Sequence, residues 1–238
     1  MKLLTLLLLS SLLSSNPGFS QSSLEDKFIK YIIDPKKQDL RFFYKDEKNQ
    51  AYRSIQQLKT SLEKKGEKLL FAMNGGMYME GNIPLGLYIE SGKTIRALNT
   101  RSASGNFYMK PNGVFYISSD GKAVITTTPS YKYYSSIRFA TQSGPMLLID
   151  GKIHPDFNEK SNNINIRNGV GVLPDGKLVF VLSKTFVTFY EMATYFKTLG
   201  CKNALYLDGA VSRMYLPSAN WTDTDGDFGV IIGEVQKK

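Results

Sequence analysis

Four short stretches of the chain set polar side chains beside glycine where an apolar run stops: AMNGGMY at 72–78, TQSGPML at 141–147, NIRNGVG at 165–171 and LDGAVSR at 207–213. They contribute an amide pair in Asn74 and Asn168, hydroxyls in Ser143 and Ser212, a guanidinium in Arg167 and a carboxylate in Asp208. Gly75, Gly76, Gly144 and Gly209 stand next to them, where bare backbone lets N–H groups come close to an anion. Strand ends are where a sheet gathers side chains from distant parts of a chain into one cleft, so the four together point to a binding or catalytic site. Taken singly, each is also ordinary turn chemistry: Asn-Gly-Gly for a left-handed turn, Ser-Gly-Pro for a strand break, Asp-Gly for a type I′ turn.

These stretches need elements to hold them. SIQQLKTSLEKKGEK, from Ser54, places Ile55, Leu58 and Leu62 at helical spacing and stops at Gly66. Apolar runs broken by Gly, Pro and Asn follow (KLLFAMN, LGLYIES, NFYMK, NGVFYIS), then IRFATQS, PMLLID, GVGVLP and KLVFVLS, the last two joined by a PDG turn. TFYEMATYFKTLG predicts a second helix with Phe189, Met192, Ala193 and Phe196 on one face, and ALYLD and FGVIIGEV return to strand. Strands dominate and the connections are too short for regular parallel crossovers. The expected fold is α+β: a mixed, largely antiparallel sheet with a few packed helices in a single domain.

Composition narrows the function classes. MKLLTLLLLSSLLSSNPGFS reads as a signal peptide over residues 1–20, with an apolar core too short to span a bilayer and small residues before the expected cut. Residues 21–238 then form the mature domain, exported to the periplasm or the extracellular space, with no transmembrane segment. Removing Lys2 takes the formal charge from +9 to +8 (9 − 1), which favours anionic partners in general. The lysines are scattered, unlike the aromatic-interleaved groove of a nucleic-acid binder, so no nucleic-acid partner is expected. Cys201 is alone and reads as a buried, inert thiol, and His154 is the only histidine, which excludes a two-histidine metal site. WTDTDGDFG spaces Asp223, Asp225 and Asp227 like a calcium loop, but Phe228 stands where such a loop needs glycine.

The ordered series NGGMY, PLGLYIE, MKPNGVFYI, SGPMLLIDGKIHP, IRNGVG, FYEMA and ALYLDGAVS resembles the phosphodiester glycosidase superfamily, in a bacterial branch of uncharacterised function, over about residues 68–235. That superfamily includes the animal enzyme that removes N-acetylglucosamine from a phosphodiester. The resemblance places functional positions on Asn74, Gly75, Gly76, Ser143, Gly144, Arg167, Glu191, Asp208, Gly209 and Ser212. It departs from the animal pattern at Ala210 and Val211, where that enzyme group has glycines.

The resemblance implies hydrolysis of a sugar linked through phosphate to a glycan or envelope polymer. Such a reaction passes through an oxocarbenium-like state while charge collects on the departing phosphate. Asp208 is the expected base or nucleophile, and Arg167 the expected phosphate clamp through its planar fork. Glycine N–H groups at 75, 76 and 144 share the anion, Asn168 joins the polar lining, and Tyr78 offers a sugar-stacking face. Glu191 has two readings: an acid or orienter in the site, or half of a Thr188-x-x-Glu191 capping box. No cofactor is implied, and a divalent metal beside Asp208 stays open. A noncatalytic anionic-glycan-binding protein is the other function this sequence allows.

Overall fold

The computed structural model describes residues 24–209 and 211–237; the stretch expected to be a signal peptide and Ala210 lie outside them. Helix α1, Ile55–Lys64, starts at Ser54, whose hydroxyl accepts from Gln57 N at 3.2 Å, and buries Ile55, Leu58 and Leu62. Gly66 takes a left-handed φ of 71° and turns the chain into the strand Glu67–Asn74. Helix α2, Phe189–Thr198, buries Phe189, Met192, Ala193, Tyr195 and Phe196. Both helices fall where the apolar spacing puts them.

The strands form three main sheets, and every strand pairing among the described residues is antiparallel. The first sheet runs Phe28–Ile33, Leu178–Ser183, Asn168–Val172, Ala204–Asp208, Met146–Ile149, Lys152–Ile153. The second runs Lys93–Arg96, Tyr88–Glu90, Ile137–Ser143, Gly113–Ser118, Ala123–Thr127. The third runs Trp221–Thr222, Met214–Leu216, Glu67–Asn74, Ile231–Lys237, Asp39–Phe43. One core joins them: Phe71 and Ile232 of the third sheet, Phe115 and Phe139 of the second and Phe180 and Leu205 of the first belong to the same buried cluster. The chain is thus one domain, with two helices packed on antiparallel sheets.

Two strands go beyond the sequence expectation. Phe28–Ile33 and Asp39–Phe43 close the edges of different sheets, so the N-terminal segment ties the first sheet to the third. NFYMK, expected as a strand, forms a 3₁₀ turn at Asn106–Tyr108. The chain leaving Asp208 does not fold back as a hairpin either. It crosses to the third sheet, where Met214 pairs with Met73.

Candidate active site

The ends of strands from all three sheets meet at one point. Asn74 ends its strand in the third sheet, Ser143 ends its strand in the second, and Asn168 and Asp208 are paired in the first. Asn168 Nδ2 donates to Asn74 O at 3.0 Å and to Asn74 Oδ1 at 2.8 Å, bridging the first and third sheets. Asn168 Oδ1 in turn accepts from Asp208 N at 2.9 Å. Ser143 Oγ donates to Leu207 O at 2.6 Å, which brings in the second sheet. Asn74, Ser143 and Asn168 have no solvent exposure, so these bonds work without competition from water and fix where Asp208 sits.

Past Asp208 the turn is held as tightly. Ser212 Oγ donates to Asp208 O at 3.0 Å and to Gly209 O at 2.7 Å, and Arg213 N donates to Asn74 Oδ1 at 2.9 Å. Gly209 is required by packing: a Cβ there would stand 2.1 Å from the Tyr206 hydroxyl. At Gly76 a Cβ would meet Thr141 Oγ1 at 2.6 Å. The Gly75 N–H, expected to face an anion, donates instead to Val230 O at 2.8 Å.

The Asp208 carboxylate is the under-compensated group of this junction. Oδ1 accepts from Gly209 N at 2.7 Å. Oδ2 is screened from solvent and has no hydrogen-bond partner, and Asn74 Nδ2 is orphaned in the same way. Burial pushes the Asp208 carboxyl up to about 6, against the opposing pull of the Gly209 N–H and the neighbouring Asn74 amide. A carboxylate in that range exchanges protons near neutral pH, the condition a general base or a nucleophile needs.

Asp208 and Gly209 line a cleft of about 790 Å³ together with Tyr78, Phe107, Tyr108 and Val211. Its rim carries Asn82, Arg53 and Asp227. Arg53 Nε and Nη2 donate to the two oxygens of Asp227 at 2.8 and 3.0 Å, and Asn82 Nδ2 donates to Asp227 Oδ1 at 2.7 Å. Sequence reading missed this rim. Arg53 and Asp227 are 174 residues apart and no motif joins them, while Phe107 and Tyr108 stand in a segment read as a strand. A weak signal was present in the acids of TDTDGDFG, which have no apolar alternation to explain them.

Two expected catalytic groups go elsewhere. Successive residues of extended backbone point to opposite faces, and while Asn168 faces Asn74, Arg167 turns beneath α2. Its guanidinium is fully buried, donating to Val187 O at 2.9 Å, Asn163 O at 2.8 Å and Asn163 Oδ1 at 3.0 Å, with its carbon 3.6 Å from the Phe189 ring centroid. With Nε and Nη2 engaged and no exposed surface, Arg167 holds helix to sheet in this structure and lies away from the cleft. Glu191 forms the capping box: Oε2 accepts from Thr188 N at 2.8 Å while Thr188 Oγ1 accepts from Glu191 N at 3.0 Å, and Lys27 Nζ donates to Oε1 at 2.7 Å. Burial raises its pKa, but Lys27 and Thr188 outweigh burial and hold it below the usual carboxylate range. That is no proton donor.

The remaining candidates are placed as follows. Tyr78 lines the cleft. His154 is buried and stacked on Phe157, and burial pushes the Cys201 thiol up to about 12. Asp225 pairs with Arg213 and Asp227 with Arg53, so the calcium-like spacing does not converge. Among the described residues no group of three or more His, Cys, Asp or Glu side chains is arranged to hold a metal ion, and no helix is long and apolar enough to cross a membrane.

The chain belongs to the phosphodiester glycosidase family, whose model matches residues 67–230. It is similar to the uncharacterised protein YigE of Escherichia coli K12, with 39% identity over 187 residues, 78% of this chain and 73% of that one. Among solved structures it shares its fold with the catalytic domain of zebrafish N-acetylglucosamine-1-phosphodiester α-N-acetylglucosaminidase auto-inhibited by its pro-peptide, at TM-score 0.61 and 17% identity over 87% of this chain and 82% of that one. A Burkholderia pseudomallei protein described as exported matches at TM-score 0.54 and 12% identity, over 87% of this chain and 73% of that one.

Proposed function

We propose that the protein is an exported hydrolase that releases a sugar from a phosphodiester-linked glycan or envelope polymer, with Asp208 as its reactive carboxylate. The observation that carries this reading is the under-paired Asp208 carboxylate at the junction of the three sheets, facing a cleft large enough for a sugar and part of its aglycone. Family membership supports the reaction class, and the first 20 residues support export.

The chemistry asks little of a second acid. As the bond between the anomeric carbon and the phosphate oxygen breaks, the electron pair leaves with the phosphate. The phosphomonoester so released has its second pKa near ~6 and departs without protonation. Asp208 then takes a proton from the incoming water, or attacks the anomeric carbon itself to give a glycosyl ester that water opens. One carboxylate with a pKa near neutrality is enough for either course, consistent with Glu191 lying in a helix cap. Tyr78 and Tyr108 supply faces for the sugar ring.

The test is sugar release from a panel of sugar-1-phosphodiesters by the mature protein, beside Asp208→Asn and a parallel series in EDTA. Release by the native protein and loss in the variant are expected; full activity in the variant would remove Asp208 from the mechanism. A glycan-binding protein without turnover is the second reading. It is favoured by Val211, which adds bulk to the cleft wall where the animal enzyme group has glycine. Saturable calorimetric binding of anionic glycans with no released sugar would select it.

A further inference from the structure

The cleft that holds Asp208 is acidic, which is an odd lining for an anionic substrate. Asp208, Asp227 and Glu80 contribute three carboxyl groups, and Arg53 is the one basic side chain among the residues that line it. Arg53 is presented with care. It takes a left-handed φ of 59°, unusual for a side-chain-bearing residue, and its carbonyl accepts from Phe228 N at 2.6 Å. Its side chain is about half exposed, and its fork closes on both oxygens of Asp227.

A carboxylate in a guanidinium fork has the same two-oxygen geometry as a phosphate. Asn82, itself held at a φ of 59°, adds a third donor to the same carboxylate. Tyr78 lines the same cleft as Asp208, Asp227 and Arg53, so the rim and the reactive carboxylate belong to one site.

We propose that Arg53 and Asn82 form the phosphate subsite of this cleft, and that Asp227 occupies the fork as an internal stand-in that the phosphate group of the substrate displaces. This rests on the reading of Asp208 as the reacting group and deepens it by naming the anion-recognising residues. Arg53 lies outside residues 67–230, so the subsite is completed by the chain's own N-terminal flank. The arrangement also sets selectivity. A neutral glycoside lacks the charge and the geometry to take the fork from Asp227, whereas a phosphodiester or the phosphomonoester it yields can compete for it.

The experiment titrates the mature protein calorimetrically with glycerol 3-phosphate, a product-like phosphomonoester, and in parallel measures KM for any sugar-1-phosphodiester the protein cleaves. Arg53→Gln is expected to weaken glycerol 3-phosphate binding at least tenfold and to lower kcat/KM at least tenfold, through kcat as well as KM, because charge collects on the phosphate it holds. Arg53→Lys, which keeps the charge but loses the fork, should fall in between. Asp227→Asn empties the fork of charge and should tighten binding about tenfold, about 1.4 kcal/mol.

Loss of a nearby negative charge would by itself favour any anion, so the deciding arm is Asp227→Asn in the Arg53→Gln background. The stand-in mechanism requires that most of the tenfold gain from Asp227→Asn be lost once Arg53 is gone, with only the share owed to Asn82 and to the removed charge remaining, and fully additive effects would overturn it. Native-like binding by a folded Arg53→Gln variant, checked by an unchanged Tm, would overturn the subsite outright. Turnover that depends on Asp208 with no phosphomonoester binding in native protein or Asp227→Asn would overturn it too, while leaving Asp208 in place. Binding that follows the predicted pattern without turnover would uphold the subsite and remove the hydrolase reading.

Discussion

Asp208 closes a strand and Glu191 opens a helix, and the two carboxylates sit in opposite electrostatic surroundings. At the strand end, burial removes solvent from Asp208 while one N–H reaches Oδ1 and Oδ2 has only the pull of the neighbouring Asn74 amide. At the helix start, Glu191 receives an N–H, a hydroxyl contact and an ammonium. The first group is driven towards a neutral-range pKa by burial; the second is held low by its partners. Catalytic potential here comes from what a carboxylate lacks, because a fully paired one has no reason to exchange its proton or attack a carbon.

The strongest way to break this comparison is to neutralise Asp208. Asp208→Asn keeps the shape and removes the base, so kcat on a cleaved substrate should fall by about 10²–10⁴-fold, the usual range for a general base. The native kcat/KM should climb with pH and level off above about 6, as the carboxyl ionises. Stability should run the other way. Between the ordinary carboxyl pKa of 3.8 and the folded value of about 6, the folded state binds the extra proton, so native stability falls as pH rises across that window. Asp208→Asn should flatten that segment in urea titrations at pH 4, 5 and 6. A native-minus-variant difference that does not change with pH there would mean that Asp208 is well solvated.

Arg167 sharpens the contrast from the other side, since it is a buried charged group whose Nε and Nη2 donors are placed. Arg167→Met leaves the carbonyls of Val187 and Asn163 without this donor and strips the cation from the Phe189 face. The Val187 carbonyl keeps the Asn165 N–H and Asn163 is exposed, so the cost is that of lost hydrogen bonds to a charged group, about 1.5–3 kcal/mol in denaturant unfolding. A phosphate clamp would behave differently: stability would hold and KM would rise.

These two residues also show what could be read before the fold was known. The Asp208-Gly209 signal was legible because a carboxylate interrupting ALYL is costly in a strand that is buried on both faces. The two helices were legible from their apolar spacing, and the Thr188-x-x-Glu191 cap from its pattern alone. Arg167 was misread for a reason open to sequence reasoning, since it and Asn168 are adjacent in extended chain and cannot face the same cleft. The Arg53–Asp227–Asn82 rim was not legible. It depends on a left-handed backbone at Arg53 and on contacts spanning 174 and 145 residues, which no local pattern encodes. The edge strands Phe28–Ile33 and Asp39–Phe43 were hidden as well, because charged residues break FIKYII and DLRFF and partners supplied from 145 or more residues away (178 − 33 for the nearest pair) define both.

The smallest effect belongs to Glu191, and it tests the comparison most directly because the predicted result is nearly nothing. Glu191→Gln keeps a side-chain oxygen for the Thr188 N–H and loses the charge that pairs with Lys27, whose side chain is 39% exposed. A pair that open to solvent contributes about 0.2–1 kcal/mol, and the cap itself survives in part, so the loss in stability should stay below about 1 kcal/mol. High salt should shrink that difference further, because screening weakens the native pair and leaves the variant unaffected. Turnover at pH 7 should match the native protein. A hundredfold fall in kcat with an unchanged unfolding midpoint would return Glu191 to the chemistry, and would mean that the helix start and the strand end act on one substrate.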